Sequence, residues 1–293
     1  MALSLLAAQP VDVTQIPLLD ILSFAFMQRA LITGMATALV CGVISCFVIH
    51  VGWSLMGDAI SHAVLPGVVI SYILQLPYAV GAVVAALIAV ALIGLVRQSN
   101  VISSDTSMGI VFTTLFSLGT VLISKVPSQT SLSHILFGNL LGVTPPDMWQ
   151  VLVLGSAVLV VVVVLRRDLA LFTFDPMHAQ ALGKSPRVLS CILLVALAIT
   201  VVVSLQAVGI ILSVAMLVTP GATARMLTDN FWKMLWLSPA IAALATVLGI
   251  CASYVLDASS GGMIGVVLGT LFALAAVFGS RGVRVHMQVE QQK

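Results

Sequence analysis

Charge is what this sequence has least of. Asp, Glu, Lys and Arg together make up 8% of its 293 residues, against about 25% in a soluble domain. Hydrophobic residues make up 60%. One water-soluble core cannot hide that much apolar surface at this length, so the excess must face lipid. Cysteine is also sparse. Cys41, Cys46, Cys191 and Cys251 lie inside apolar stretches with no CxxC pairing, which excludes a zinc ribbon and a disulfide framework and leaves them as small packing residues. No HExxH is present, so a zinc protease is excluded. Gly183-Lys184-Ser185 imitates the end of a P-loop. The Gly required five residues earlier is His178, and Pro186 follows at once. The chain therefore does not bind ATP by that motif. The opening residues lack a basic region and are interrupted by Pro10, Asp12 and Asp20, so no signal peptide is expected. The net charge of +2 carries no nucleic-acid signal.

What is present is a series of apolar runs of the length that crosses a bilayer, about 20 residues each. Broken at charges, prolines and glycine clusters, they fall at 30–49, 57–74, 79–96, 107–124, 148–165, 188–208, 210–227, 235–256 and 263–279. The two joined at Gly209 can also be read as one broken unit. The expected fold is therefore an all-α, polytopic membrane bundle of eight to nine transmembrane helices forming a single domain over 1–293. Residues 1–29 read as an N-terminal interfacial segment, with a short helix over 20–29. Residues 132–141 read as a short helix on the outer surface.

Lys and Arg set the orientation. With nine spans and the Arg166, Arg167, Lys184 and Arg187 loop inside, only Arg29 and Lys125 of the twelve basic residues fall outside. The N-terminus is then periplasmic and the C-terminus cytoplasmic. No soluble domain fits anywhere in the chain, so its energy source is either another polypeptide or an ion gradient.

Among the acidic residues Asp58 stands apart, because it lies in an apolar span with His62 four residues on. That spacing places carboxylate and imidazole on one helical face. Ionisable groups in a span are costly, about 2.5–3.5 kcal/mol for Asp, and usually line a pathway. One carboxylate and one imidazole make half a site for Mn, Fe or Zn, and two chains on a two-fold axis would complete it. The alternative is structural, with Asp58 capping a helix that starts after Gly57 and His62 packed in the core. Gly52, Gly57, Pro66 and Gly67 would permit a broken helix here.

The run Gly57-Asp58-Ala59-Ile60-Ser61-His62-Ala63-Val64-Leu65-Pro66-Gly67 resembles the signature of the zinc, manganese and iron permeases of ABC importers. Leu136-Phe137-Gly138-Asn139-Leu140-Leu141 is similar to the same family, as is Phe174-Asp175-Pro176 with Ala179-Gln180-Ala181-Leu182-Gly183. So is the run from Leu217 to Arg225, which contains Pro220-Gly221. The likeness extends over about 26–279. His50-Val51-Gly52-Trp53 departs from it, since family members often carry basic residues there.

The resemblance implies that Asp58 and His62 bind the transported metal, which is cargo, and that the chain has no cofactor of its own and no catalytic residue. It implies a cytoplasmic ABC ATPase, an extracytoplasmic metal-binding protein and a second permease subunit, identical or paralogous, as partners. Within the cytoplasmic segment 166–187 it implies an ATPase-coupling helix built from Phe174, Asp175, Ala179, Ala181, Leu182 and Gly183. Pro66, Pro220 and Gly221 are expected to kink helices beside the pathway. A secondary transporter using Asp58 as a relay is the alternative, but such folds carry paired broken helices, and no second GDxxxH-like segment is present in the later half. The stripe Gly261, Gly265, Gly269 reads as close helix packing. His134 reads as a solvated loop residue, and no role is assigned to His50, His178 or His286.

Overall fold

In a computed structural model of the chain, residues 24–97, 103–125 and 140–279 are described. Among them every regular element is helical. Hydrocarbon offers backbone groups no hydrogen-bond partners, so each apolar run closes its own ladder. The helices are α1 (Ala25–Val51), α2 (Ser54–Ala63), α3 (Leu65–Ile73), α4 (Tyr78–Arg97), α5 (Ser104–Lys125), α6 (Pro145–Val164), α7 (Arg166–Phe174), α8 (Pro176–Ala181), α9 (Pro186–Leu227), α10 (Phe231–Val255) and α11 (Ser260–Phe278).

Eight of these helical stretches are long and apolar enough to cross a membrane, counting α2 with α3 as one, while Leu212–Leu227 is a shorter apolar helix. The break between the two limbs of α9 is Gly209, whose φ of 81° and ψ of 174° suit glycine alone. The second limb turns back. Arg225 near its end donates from Nη1 to the carbonyl of Ile49 at 3.4 Å, and Ile49 lies near the end of α1. A methyl group on Gly279, past the end of α11, would stand 2.9 Å from the Met226 carbonyl oxygen. Phe231, opening α10, touches both His50 and Phe174. The ends of α1, α7, α9 and α11 and the start of α10 therefore share one end of the bundle. Ala25 lies at the other, about 40 Å away along the 27 residues of α1.

α1 is the central element and packs most extensively on α9 and α10. Its small residues allow close approach. At Gly42 an added Cβ would lie 2.5 Å from Pro239 Cα, and Ser238 donates to the Gly42 carbonyl at 2.7 Å. Ser45 joins α1 to the second limb of α9. Its hydroxyl accepts from the Gly221 amide at 2.9 Å and donates to the Val218 carbonyl at 3.2 Å. The helix continues through Pro220 and Gly221, and the non-helical angles of α9 lie at Gly209. Gly67 and Gly81 bring α3 against α4 so closely that a methyl group on either would overlap the other's carbonyl oxygen.

Two boundaries differ from the sequence reading. Residues 25–29, expected in an interfacial helix, form the first turn of α1, because Arg29 satisfies its guanidinium at home, donating from Nε to the Ala25 carbonyl at 3.1 Å. The expected outer helix at 132–141 falls mostly outside the described residues, and its end forms a 3-10 turn, Leu140–Gly142. His134, His286 and residues 136–139 also lie outside them.

Replacing Gly209 by Ala should lower the unfolding midpoint of the detergent-solubilised protein, with a cost of about 1–3 kcal/mol. Gly94→Ala is the control, since a Cβ there meets nothing within 4 Å. Equal stability of the two variants would show that the break at Gly209 is not needed.

Candidate metal centre

α1 ends in a Schellman turn. Gly52 adopts φ 79°, and the Trp53 amide donates to the Val48 carbonyl at 2.9 Å. α2 starts two residues later at Ser54, so Asp58 lies inside the helix, in its second turn. The capping alternative for Asp58 is thereby excluded. Pro66 has no amide hydrogen to donate to the His62 carbonyl, and α2 gives way to α3 at Val64.

On α2 the two side chains meet, with His62 Nε2 3.4 Å from Asp58 Oδ1. That exceeds a normal hydrogen bond, about 2.7–3.2 Å. With metal–ligand bonds of about 2.0–2.2 Å, the same separation subtends roughly 100–115° at a shared cation, near the tetrahedral angle. Asp58 is 44% exposed and His62 25%. The ring of His62 is held by Phe112 and Phe116 of α5, at centroid distances of 5.1 and 5.4 Å. Its Nδ1 is buried without a hydrogen-bond partner, so packing, and not the usual acceptor behind a metal-ligating imidazole, fixes the ring.

The depth of the pair follows from its neighbours. Phe112 and Phe116 lie near the middle of the 22-residue α5. A Cβ on Gly57 would meet Leu217 Cδ2 at 2.7 Å, and Leu217 lies well inside the second limb of α9. The pair, one to two turns into α2, is therefore level with the middle of α5 and the interior of the second limb of α9.

Among the described residues no group of three or more His, Cys, Asp or Glu could hold a metal ion. The chain offers a carboxylate and an imidazole, short of a four-ligand shell. Remaining ligands would have to come from solvent or a second chain.

At the shared end of the bundle, α7 and α8 form a compact connection. Asp175 caps α8 by accepting from the His178 amide at 2.9 Å. A second Schellman turn closes it, with Gly183 at φ 76°, Gly183 N donating to Gln180 O and Lys184 N to Ala179 O, both at 3.0 Å. Ala179 is fully buried, while Ala181 and Leu182 are exposed. Lys184 Nζ pairs with Asp168 Oδ2 at 2.7 Å, tying the far side of α8 back to α7. Phe174 stacks edge-on with His50 and Phe231. Of the residues expected beside the pathway, Pro66 lies in the first turn of α3, and Pro220 and Gly221 sit against Ser45 of α1.

Sequence reasoning missed Phe112, Phe116, Ser45 and His50. A Phe pair four apart opposite an intramembrane His was a usable signal. Nothing in the sequence marks Ser45 apart from other span serines.

Residues 23–279 match the ABC 3 transport family. The manganese transport system membrane protein MntB of Synechocystis sp. is 48% identical over 89% of this chain and 85% of its own length. The chelated iron transport system membrane protein YfeD of Yersinia pestis is 41% identical over 87% and 86%. In structure the chain is similar to PsaBC from Streptococcus pneumoniae, solved in complex with Fab, with a TM-score of 0.85 at 38% identity over 92% of this chain and 98% of that one. With a family match over most of its length and eight helices fit to cross a membrane, the chain belongs to the ABC 3 transport family and is a multi-pass protein of the bacterial inner membrane.

Proposed function

We propose that the chain is the permease subunit of an ATP-driven importer for a divalent transition metal, with manganese and iron favoured over zinc. The manganese and chelated-iron systems named for its relatives support the cargo class. The observation that carries the reading is the Asp58–His62 pair, which is partly exposed inside a span with its donor atoms at chelating distance. A carboxylate and an imidazole suit Mn and Fe, and selectivity between such ions comes from geometry and availability more than from raw affinity.

In this reading two permease subunits, identical or paralogous, each bring one such pair to a shared axis. An extracytoplasmic binding protein delivers metal to the end where α1 begins. The ion exchanges water for the two carboxylates and two imidazoles, then leaves inward when ATP-driven motion opens the cytoplasmic side. The end carrying α7 and α8 faces the cytoplasm, since it holds Arg166, Arg167, Lys184, Arg187, Arg225 and Lys233. The ATPase docks within the 173–187 segment at α8 and its C-terminal turn, where the exposed Met177 and Leu182 offer apolar contact. Such a segment must be stiff to transmit rigid-body motion, and the two-sided capping of α8 and the Lys184–Asp168 pair supply that stiffness. A secondary transporter with Asp58 as relay has no second GDxxxH-like segment in the sequence to support it.

Asp58→Ala and His62→Ala should each cut metal accumulation at least about tenfold in cells carrying the importer, with the permease at normal membrane levels. Elemental analysis of manganese and iron reads the result, and full accumulation by both variants would remove the site. Gly183→Val forces a β-branched residue into a left-handed conformation at the end of α8. Its expected result is weakened co-purification of the ATPase, measured by pull-down from detergent. Undiminished association and transport would argue against docking at this segment.

A further inference from the structure

His50, Phe174 and Phe231 come from three separate elements, the last turn of α1, the last residue of α7 and the first residue of α10. Their rings pack edge-on in a closed triangle. His50 to Phe174 is 5.1 Å, His50 to Phe231 5.3 Å and Phe174 to Phe231 5.3 Å, at interplanar angles of 66°, 90° and 87°. Edge-to-face aromatic pairs at such distances are favourable and directional.

The triangle is anchored on two corners. Phe231 is buried and packs edge-on against Phe47, also of α1, at 5.3 Å. His50 is turned by its own helix, its Nδ1 donating to the Cys46 carbonyl at 2.9 Å. The third corner is different. Phe174 is 58% exposed, so its ring is held by these contacts more than by burial.

The placement of the corners gives the cluster its meaning. Phe174 directly precedes Asp175, the cap of α8. His50 stands two residues before Gly52, where α1 turns into the helix that carries Asp58 and His62. Arg225 seals the same spot by binding the Ile49 carbonyl. Any displacement of α8 pulls on Phe174, and Phe174 bears on His50 in the last turn of α1.

We propose that the His50–Phe174–Phe231 triangle is the joint that carries movement of the α8 segment to the turn before the Asp58–His62 helix. Phe174 and His50 are thus positioning residues for transport, and Phe174 serves transmission instead of ATPase docking. The proposal rests on α8 being the ATPase-coupling element.

The test uses the complete importer, with its permease, ATPase and binding protein, reconstituted in liposomes with Mn(II) as the transported probe. ATP hydrolysis and Mn uptake are read in parallel. Phe174→Leu keeps an apolar side chain and removes the ring, so the protein should fold. Its expected result is intact co-purification with the ATPase, hydrolysis within about twofold of wild type, and Mn carried per ATP reduced about tenfold. His50→Leu should do the same, and the double variant should be no worse than either single one. The ring-preserving Phe174→Tyr and His50→Phe should restore the ratio.

An unchanged Mn-to-ATP ratio in Phe174→Leu overturns the proposal. Loss of ATPase association in that variant overturns it as well, since Phe174 would then belong to the docking surface, and the α8 reading would survive. Failure of the α8 reading shows separately, as undisturbed association in Gly183→Val.

Discussion

The contact of α1 with α9 and α10 is the constraint on which the rest of the structure depends. At Gly42 the backbone of α1 approaches Pro239 so closely that no side chain fits between them. Two turns of α10 and the second limb of α9 are then stitched to it through the Ser238, Cys46 and Ser45 side chains, which bond the Gly42, Met234 and Val218 carbonyls. In lipid no hydrophobic force drives helices together, so close packing of small residues and shared polar groups must do so. Ser45 is economical in this respect. Pro220 disturbs the local ladder of α9, and one hydroxyl satisfies the Gly221 amide while holding the two helices in register.

Fixing α1 in this way fixes the depth of its end. The turn at Gly52 leads into the 20-residue span formed by α2 and α3, and Asp58 and His62, one and two turns into it, reach the middle of α5. Placement inside a span makes both groups expensive unless they are partnered or bind a cation. The exposure of Asp58 and the 3.4 Å gap to His62 leave that partner to be supplied from outside the chain. Phe112 and Phe116 close the inner side of the imidazole, so Nε2 faces the carboxylate and the open side.

Much of this was legible in the sequence, because the bilayer imposes a length and an apolarity that few other environments demand. The spans, the Gly209 break and the Asp58–His62 spacing all follow from that. The end of α8 follows instead from glycine's tolerance of the left-handed conformation at Gly183. The contact of His62 with the middle of α5 was not legible, since hydropathy reports where a segment becomes apolar and not which neighbour it meets. The first turn of α1 was misread for a related reason. Arg29 reads as a boundary, yet it bonds its own helix at Ala25 and the helix simply includes it. His50 carried no role in the sequence and Phe174 read only as part of the coupling segment, and the start of α10 brings them together.

The central claim is that Asp58 and His62 together ligate the transported ion. It is tested most directly by electron–nuclear double resonance on Mn(II) held by the purified importer. The account predicts nitrogen hyperfine coupling from the imidazole, abolished in His62→Gln. Bound Mn(II) surrounded by oxygen ligands alone, with a spectrum unchanged by His62→Gln, would contradict it.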